Sequence, residues 1–138
     1  MFDYKKLFDL SGRKAMVVGA GSGIGEAAAL GLAAHGAEVI CADLNAEAAA
    51  RVAESIRSTG GLAGSLALDI RDAAGVLRAM DDAPDLDVLV STPAINVRKP
   101  LLQMTEDEFD RVGVVTRVPE AIEMVDLVVG VAERVLQD

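Results

Sequence analysis

The chain has 138 residues and a mass of 14.3 kDa. That fits one domain, able to bury roughly 67% of its unfolded surface. With 51% apolar and 25% charged residues it is neither disordered nor collagen-like, and 13 basic against 22 acidic side chains give a net charge of −9, which argues against a nucleic-acid backbone or an anionic membrane as partner.

One cysteine, Cys41, and one histidine, His35, exclude an internal disulfide and a His/Cys zinc site. Met1–Leu10 has alternating charge and no long apolar run, so no signal peptide is expected. No stretch reaches the length of a membrane span, and the expected location is cytoplasmic.

In chain order, Met1–Gly12 reads as a lead-in whose Phe2, Leu7, Phe8 and Leu10 cover one edge of the core. Ala15–Gly19 is a short Val-rich run, apolar on both faces, and predicts a strand covered from both sides. Gly23–His35 predicts a helix that Gly31 weakens by about 1 kcal/mol and Gly36 stops. Glu38–Ala42 is a second strand and Asn45–Thr59 a helix capped by Asn45, with Glu47 and Glu54 on its wet side. Leu62–Leu68 is a third strand. Asp72–Met80 is a helix with Asp69 or Asp72 near its start, and Leu86–Val90 is a fourth strand beyond Pro84. This β-α-β-α-β-α-β order with short connections predicts a Rossmann-like, three-layer α/β fold: a partial doubly wound parallel sheet of order 3-2-1-4.

The last third is less regular. Ile95–Pro100 reads as a loop that exposes Arg98 and Lys99 as solvated charges. Thr105 and Glu108 form a capping box that starts a helix carrying Phe109 and Val112 inward. Pro119 interrupts it, and a further helix at Glu120–Leu136 bears an apolar stripe of Ile122, Val125, Val129, Ala132 and Leu136. That stripe serves as core or as a homodimer seam. The whole of 1–138 is expected to be a single domain with a divergent helical tail over 113–138. His35 reads as a helix-end residue and Cys41 as buried filler. No carboxylate cluster has metal-ligand spacing.

The chemistry concentrates between the first strand and the first helix, in Gly19-Ala20-Gly21-Ser22-Gly23-Ile24-Gly25. Bare backbone there lets a pyrophosphate approach, and the helix N-terminus supplies N–H groups and a positive dipole. Asp43 ends the second strand, 24 residues after Gly19. Its carboxylate is placed to accept from both ribose hydroxyls of an adenosine and to repel a 2′-phosphate, which favours NAD over NADP.

These residues, with Leu68-Asp69-Ile70, the Asp87–Val90 strand and the run from Asn96 to Asp110, resemble the short-chain dehydrogenase/reductase family over about residues 8–112. The resemblance looks nearest to gluconate- and sugar-type dehydrogenases. It implies oxidoreductase ancestry and specific roles. Gly19, Gly21, Ser22, Gly23, Ile24 and Gly25 would line the pyrophosphate and the nicotinamide-side ribose. Asp43 and Leu44 would hold the adenosine ribose, Asp69 and Ile70 the adenine, and Ser91 the strand end beneath the nicotinamide-side ribose.

Departures are equally specific. Ser91-Thr92-Pro93-Ala94 stands where the family has Asn-Asn-Ala-Gly, and Thr116 where it has a helix Asn. The family's catalytic Ser and Tyr-x-x-x-Lys have no counterpart: Tyr4 is the one tyrosine, Lys99 the last lysine, and no serine follows Ser91. The chain alone is therefore expected to be inactive, a truncated member that binds NAD without catalytic residues of its own. A second reading is a structural or interaction protein that keeps the scaffold without nucleotide. Expected partners are a second copy or another subunit, through the C-terminal helix or the edge of the fourth strand.

Overall fold

A computed structural model describes residues 4–95 and 97–109. Val112, Thr116, the 120–136 helix and the rest of the 113–138 tail lie outside the described residues. Backbone contacts divide the chain at Thr92 into two compact units.

The first unit holds β1 (Lys14–Val18), α1 (Gly23–Ala34), β2 (Glu38–Asp43), α2 (Ala46–Ser58), β3 (Ala63–Ala67), α3 (Ala73–Asp81) and β4 (Val88–Ser91), after a 3₁₀ turn at Tyr4–Phe8. The four strands form one parallel sheet in the order β3-β2-β1-β4. The expected fold class and strand order are both present. Element ends differ from expectation by a residue or two. Gly19, for example, leaves β1 for the turn.

Alternation along β1 sorts its side chains between two cores. Ala15 and Val17 join Val39 and Cys41 of β2 against Ala29 of α1 and Ala49, Val52, Ala53 and Ile56 of α2. Met16 and Val18 face the other way, with Ala42, Leu68, Ala79, Ala83 and Leu86. The result is a helix–sheet–helix sandwich with β1 buried along nearly its whole length. Val52 and Ile56 are fully buried, which stabilises the α2 contact by about 2 kcal/mol each. Gly25 and Ala29, the buried residues of α1, let that helix lie close to the sheet.

Local chemistry sets the helix ends. The Asn45 side chain accepts from the Ala48 N–H at 3.1 Å, as its cap position requires. His35 ends α1, and Gly36 follows with φ +97°. The far end of α2 is held by Arg57, which pairs with Glu54 at 2.7 Å and donates to the Ala63 carbonyl at 2.9 Å, tying helix to β3. At the amino-terminal edge of the sheet, Asp87 accepts from the Lys14 N–H at 2.9 Å and from Arg13 at 2.6 Å, fastening β4 to the start of β1.

Several side chains depart from expectation. Leu7 and Phe8 are 60% and 65% exposed instead of covering the core, because the 3₁₀ turn carries them outward; Leu10 packs inward, and Phe2 lies outside the described residues. Phe8 lies 6.5 Å from the His35 ring. Asp72 occupies the N-cap position of α3 without making a side-chain cap bond. Cys41, by contrast, is fully buried as expected, and burial pushes its thiol pKa up.

In the second unit, Leu101–Gln103 forms a 3₁₀ turn and a helix begins at residue 106. The capping box is present in both directions. The Glu108 N–H donates to Thr105 Oγ1 at 3.2 Å, and the Thr105 N–H donates to Glu108 Oε2 at 2.9 Å. Lys99 is not a solvated charge: it pairs with that same Glu108 carboxylate and so anchors the preceding loop to the helix start. Arg98 is exposed as expected. Phe109, expected inward, is 55% exposed.

Two outcomes follow for stability. Gly31 is exposed within α1, and a Cβ there meets nothing within 4 Å. Gly31→Ala should raise unfolding free energy by about 0.5–1 kcal/mol and the thermal midpoint by roughly 3 °C, read by circular dichroism. The Lys14 N–H, then Arg13, holds the Asp87 carboxyl below the usual carboxylate range. A depressed carboxylate stabilises fully above its unfolded pKa and loses that contribution as pH falls through the folded one. Asp87→Ala should therefore cost about 1–2 kcal/mol at pH 7 by urea unfolding, and the gap to the parent chain should close below about pH 4.

Candidate functional site

The sheet order makes a switch point beside β1. The chain leaves β1 through α1 toward β2, but reaches β4 on the opposite side. Connections diverge at the carboxyl ends of β1 and β4, which opens a crevice there. Gly19 through Gly25 and Ser91-Thr92 all sit at this end.

The turn is built of close backbone contacts. The Gly19 and Ala20 N–H groups both donate to the Ala42 carbonyl, at 2.8 and 3.0 Å, so the turn begins by clamping onto the end of β2. A Cβ on Gly25 would collide with the Gly19 carbonyl and come within 2.7 Å of Thr92 Oγ1. The first turn of α1 therefore rests directly on the strand end. Gly23 differs: its φ is +57° and a Cβ would meet nothing within 4 Å, so backbone conformation selects glycine there and the turn's outer side stays open. Ser22 precedes α1 without a side-chain cap bond, and the Glu26 N–H is the first to bond back, to the Ser22 carbonyl at 3.2 Å. The N–H groups of Gly23, Ile24 and Gly25 have no partner inside the helix.

Asp43 is half-buried at the end of β2. Its Oδ2 accepts from the Gly21 N–H at 2.8 Å and its Oδ1 from the Asn45 N–H at 2.8 Å. Each oxygen keeps a further lone-pair site. Gly21 has no room for a side chain, since a Cβ would lie 2.7 Å from Asp43 Oδ2 and 2.8 Å from the Ala48 Cβ. Leu44 and Ile24 are 68% and 80% exposed.

The other expected site residues are arranged as follows. The Leu68 N–H donates to the Asp43 carbonyl at 2.9 Å, which places the segment after β3 beside the end of β2. Asp69 is occupied by Arg71: the Arg71 backbone N–H and Nε reach Oδ1 at 3.0 and 2.9 Å, and Nη2 reaches Oδ2 at 2.7 Å. Those bonds hold the Asp69 pKa down to about 2. Ile70 packs its side chain against the second core. Ser91 is exposed at the end of β4, opposite Val18 of β1. The turn, Asp43 and the end of β4 are thus brought together at one sheet edge, with Asp69 on the β3 side of Asp43.

Sequence reasoning missed three side chains. Thr92 donates from Oγ1 to the Val18 carbonyl at 3.1 Å, and its N–H to the same carbonyl at 3.0 Å, so it braces β1 against β4. Its place in the Ser91–Ala94 departure was a usable signal. Arg51 of α2 reaches Glu26 of α1 at 2.9 and 3.1 Å and the Gly21 carbonyl at 2.9 Å. These partners are 25 and 30 residues away in sequence, and nothing in local pattern links them. No cluster of metal-ligating side chains occurs among the described residues. No helix among them is long and apolar enough to cross a membrane.

Comparison with known proteins agrees with this geometry. Residues 13–129 match the family profile for short chain dehydrogenase. The chain is 39% identical over 110 residues to a versicolorin reductase of Emericella nidulans, covering 76% of this chain and 42% of that one. It is 39% identical over 108 residues to elsinochrome reductase 1 of Elsinoe fawcettii, covering 75% and 40%. Among solved structures, a short-chain type dehydrogenase/reductase from Mycobacterium marinum superposes with a TM-score of 0.79 at 31% identity, over 84% of this chain and 49% of that one. A candidate 2-deoxy-D-gluconate 3-dehydrogenase from Agrobacterium tumefaciens, with NADP bound, gives 0.70 at 39% identity, over 78% and 43%. The chain spans about two fifths of the length of these curated relatives and under half that of these solved structures. With its sheet order, its glycine turn and a profile match across most of its residues, this chain belongs to the short-chain dehydrogenase family.

Proposed function

We propose that this chain is the dinucleotide-binding portion of a short-chain dehydrogenase and takes NAD in preference to NADP. The family binds NAD(P). The observation that carries the preference is Asp43, whose carboxylate is held by the Gly21 and Asn45 N–H groups, each at 2.8 Å, beside the open side of the glycine turn. Two ribose hydroxyls can donate to its remaining lone pairs. A 2′-phosphate in their place would bring like charges to within a few ångströms.

The other residues fit a dinucleotide laid across the sheet end. The open outer side at Gly23 and the unpartnered first-turn N–H groups of α1 suit a pyrophosphate. In this reading Gly19, Gly21, Ser22, Gly23, Ile24 and Gly25 line the pyrophosphate and nicotinamide-side ribose, and Leu44 flanks the adenosine ribose. Asp69 and Ile70 border the adenine, with Arg71 beside Asp69, and Ser91 lies beneath the nicotinamide-side ribose. Bound there, the nicotinamide would supply a hydride donor or acceptor for a carbonyl or alcohol. Proton transfer to the substrate oxygen needs a positioned acid. No side chain of these 138 residues is assigned that role, and the proposal covers binding and not turnover. Association through the edge of β4 or through residues 120–136 belongs to the same proposal.

Calorimetric titration tests the reading. NAD should bind saturably, with NADP at least about tenfold weaker, and Asp43→Ala should remove most of that difference. Tighter binding of NADP would overturn the preference. Absence of heat and of thermal stabilisation with either nucleotide would overturn the binding role and leave the scaffold reading.

A further inference from the structure

Gly21 is held at both ends. Its N–H donates to Asp43 Oδ2 at 2.8 Å, and its carbonyl accepts from Arg51 Nη2 at 2.9 Å. The same guanidinium makes two bonds to the Glu26 carboxylate, at 2.9 and 3.1 Å. A chain of contacts therefore runs from α1 through Arg51 of α2 into the glycine turn and on to the end of β2. We infer that the Arg51–Glu26 pair is a positioning device for the Asp43 carboxylate, acting through the two peptide units that meet at the Gly21 Cα to set ribose recognition. The inference rests on the reading of Asp43 as the ribose acceptor.

Three physical points support it. The Arg51 and Glu26 side chains are 58% and 30% exposed, and an ion pair that wet contributes little to stability. Its specific feature is orientation: a guanidinium engaged by a carboxylate through two of its nitrogens has one plane and one direction left for its remaining N–H groups. Here that direction is the Gly21 carbonyl. Gly21 is also the residue least able to hold itself, having no side chain and the widest backbone freedom. Arg51 supplies from outside the restraint that a side chain would otherwise give, at a position where a Cβ would lie 2.7 Å from Asp43 Oδ2.

Without Arg51, the Gly21–Ser22 peptide loses its restraint, the adjoining peptide that carries the Gly21 N–H is held less firmly, and the Asn45 N–H at 2.8 Å is left as the firmer of the two anchors on Asp43. Recognition of the ribose hydroxyls then weakens while contacts to the rest of the nucleotide persist. The discriminating measurement uses ADP and 2′,3′-dideoxy-ADP, titrated into the 138-residue chain and into Arg51→Met, Arg51→Lys and Glu26→Gln. The parent chain should prefer ADP by about tenfold. Arg51→Met should reduce that ratio at least about threefold and leave the dideoxy-ADP affinity within about twofold. Arg51→Lys, which can still reach a carbonyl, should restore part of the ratio. Equal loss of both ligands in Arg51→Met, or an unchanged ratio, would overturn the inference. Thermal unfolding of each variant accompanies the titrations. Should Arg51→Met fail to fold, Glu26→Gln carries the test: a ratio unchanged there overturns the inference, and a reduced one supports it. A parent chain that binds ADP and dideoxy-ADP equally, or neither, overturns the reading of Asp43 itself. That result is distinct from a parent preference that survives loss of Arg51.

Discussion

The first turn of α1 lies against the end of β1 with no room for a side chain between them. Gly25 sits under the Gly19 carbonyl, and Thr92 Oγ1 closes the same space from the β4 side. This single contact between backbones sets where the helix begins and which way its axis points. The direction of its free N–H groups follows, and so does the open side of the turn at Gly23. The sheet supports the contact from beneath, since β1 is an inner strand and is buried on both faces.

A second constraint is electrostatic and operates across the turn. Asp43 is a carboxylate at the end of a strand, in a chain with a net charge of −9. It is held in orientation by two backbone N–H groups that donate to it. Arg51 closes the arrangement from the far side of Gly21 and is itself balanced by Glu26. Positive charge is thus brought to the turn already paired with a carboxylate. Asp69 shows the opposite case, with a partner two residues away that occupies both of its oxygens.

Much of the architecture was legible in the residues. The run Ala15–Gly19, apolar on both faces, reads as a strand covered on both sides, and Asn45 and Thr105 mark helix starts by short-range hydrogen bonding. The placement of Gly19–Gly25 between a strand and a helix, with Asp43 at the next strand end, located the site as well. Side-chain destinations were less legible. Leu7, Phe8 and Phe109 are apolar yet exposed, and Lys99 is charged yet paired. Burial depends on what lies opposite, and no local pattern carries that. Arg51 illustrates the same limit, being one arginine among several on polar helix faces until the fold brings Glu26 and Gly21 to it.

By itself the sequence determined the order of elements, the parallel sheet, the family and the position of the glycine turn, because each depends on interactions within a few residues or on a two- or four-residue period. Only the tertiary structure decided which side chains meet across that turn. Asp43 is joined to Gly21, Arg51 to Glu26, Thr92 to Val18 and Asp87 to Lys14, over separations of 22, 25, 74 and 73 residues. Contacts at such distances arise from how strands and helices stack, and a hydrogen bond of 2.8 Å leaves no trace in the spacing of the residues that make it.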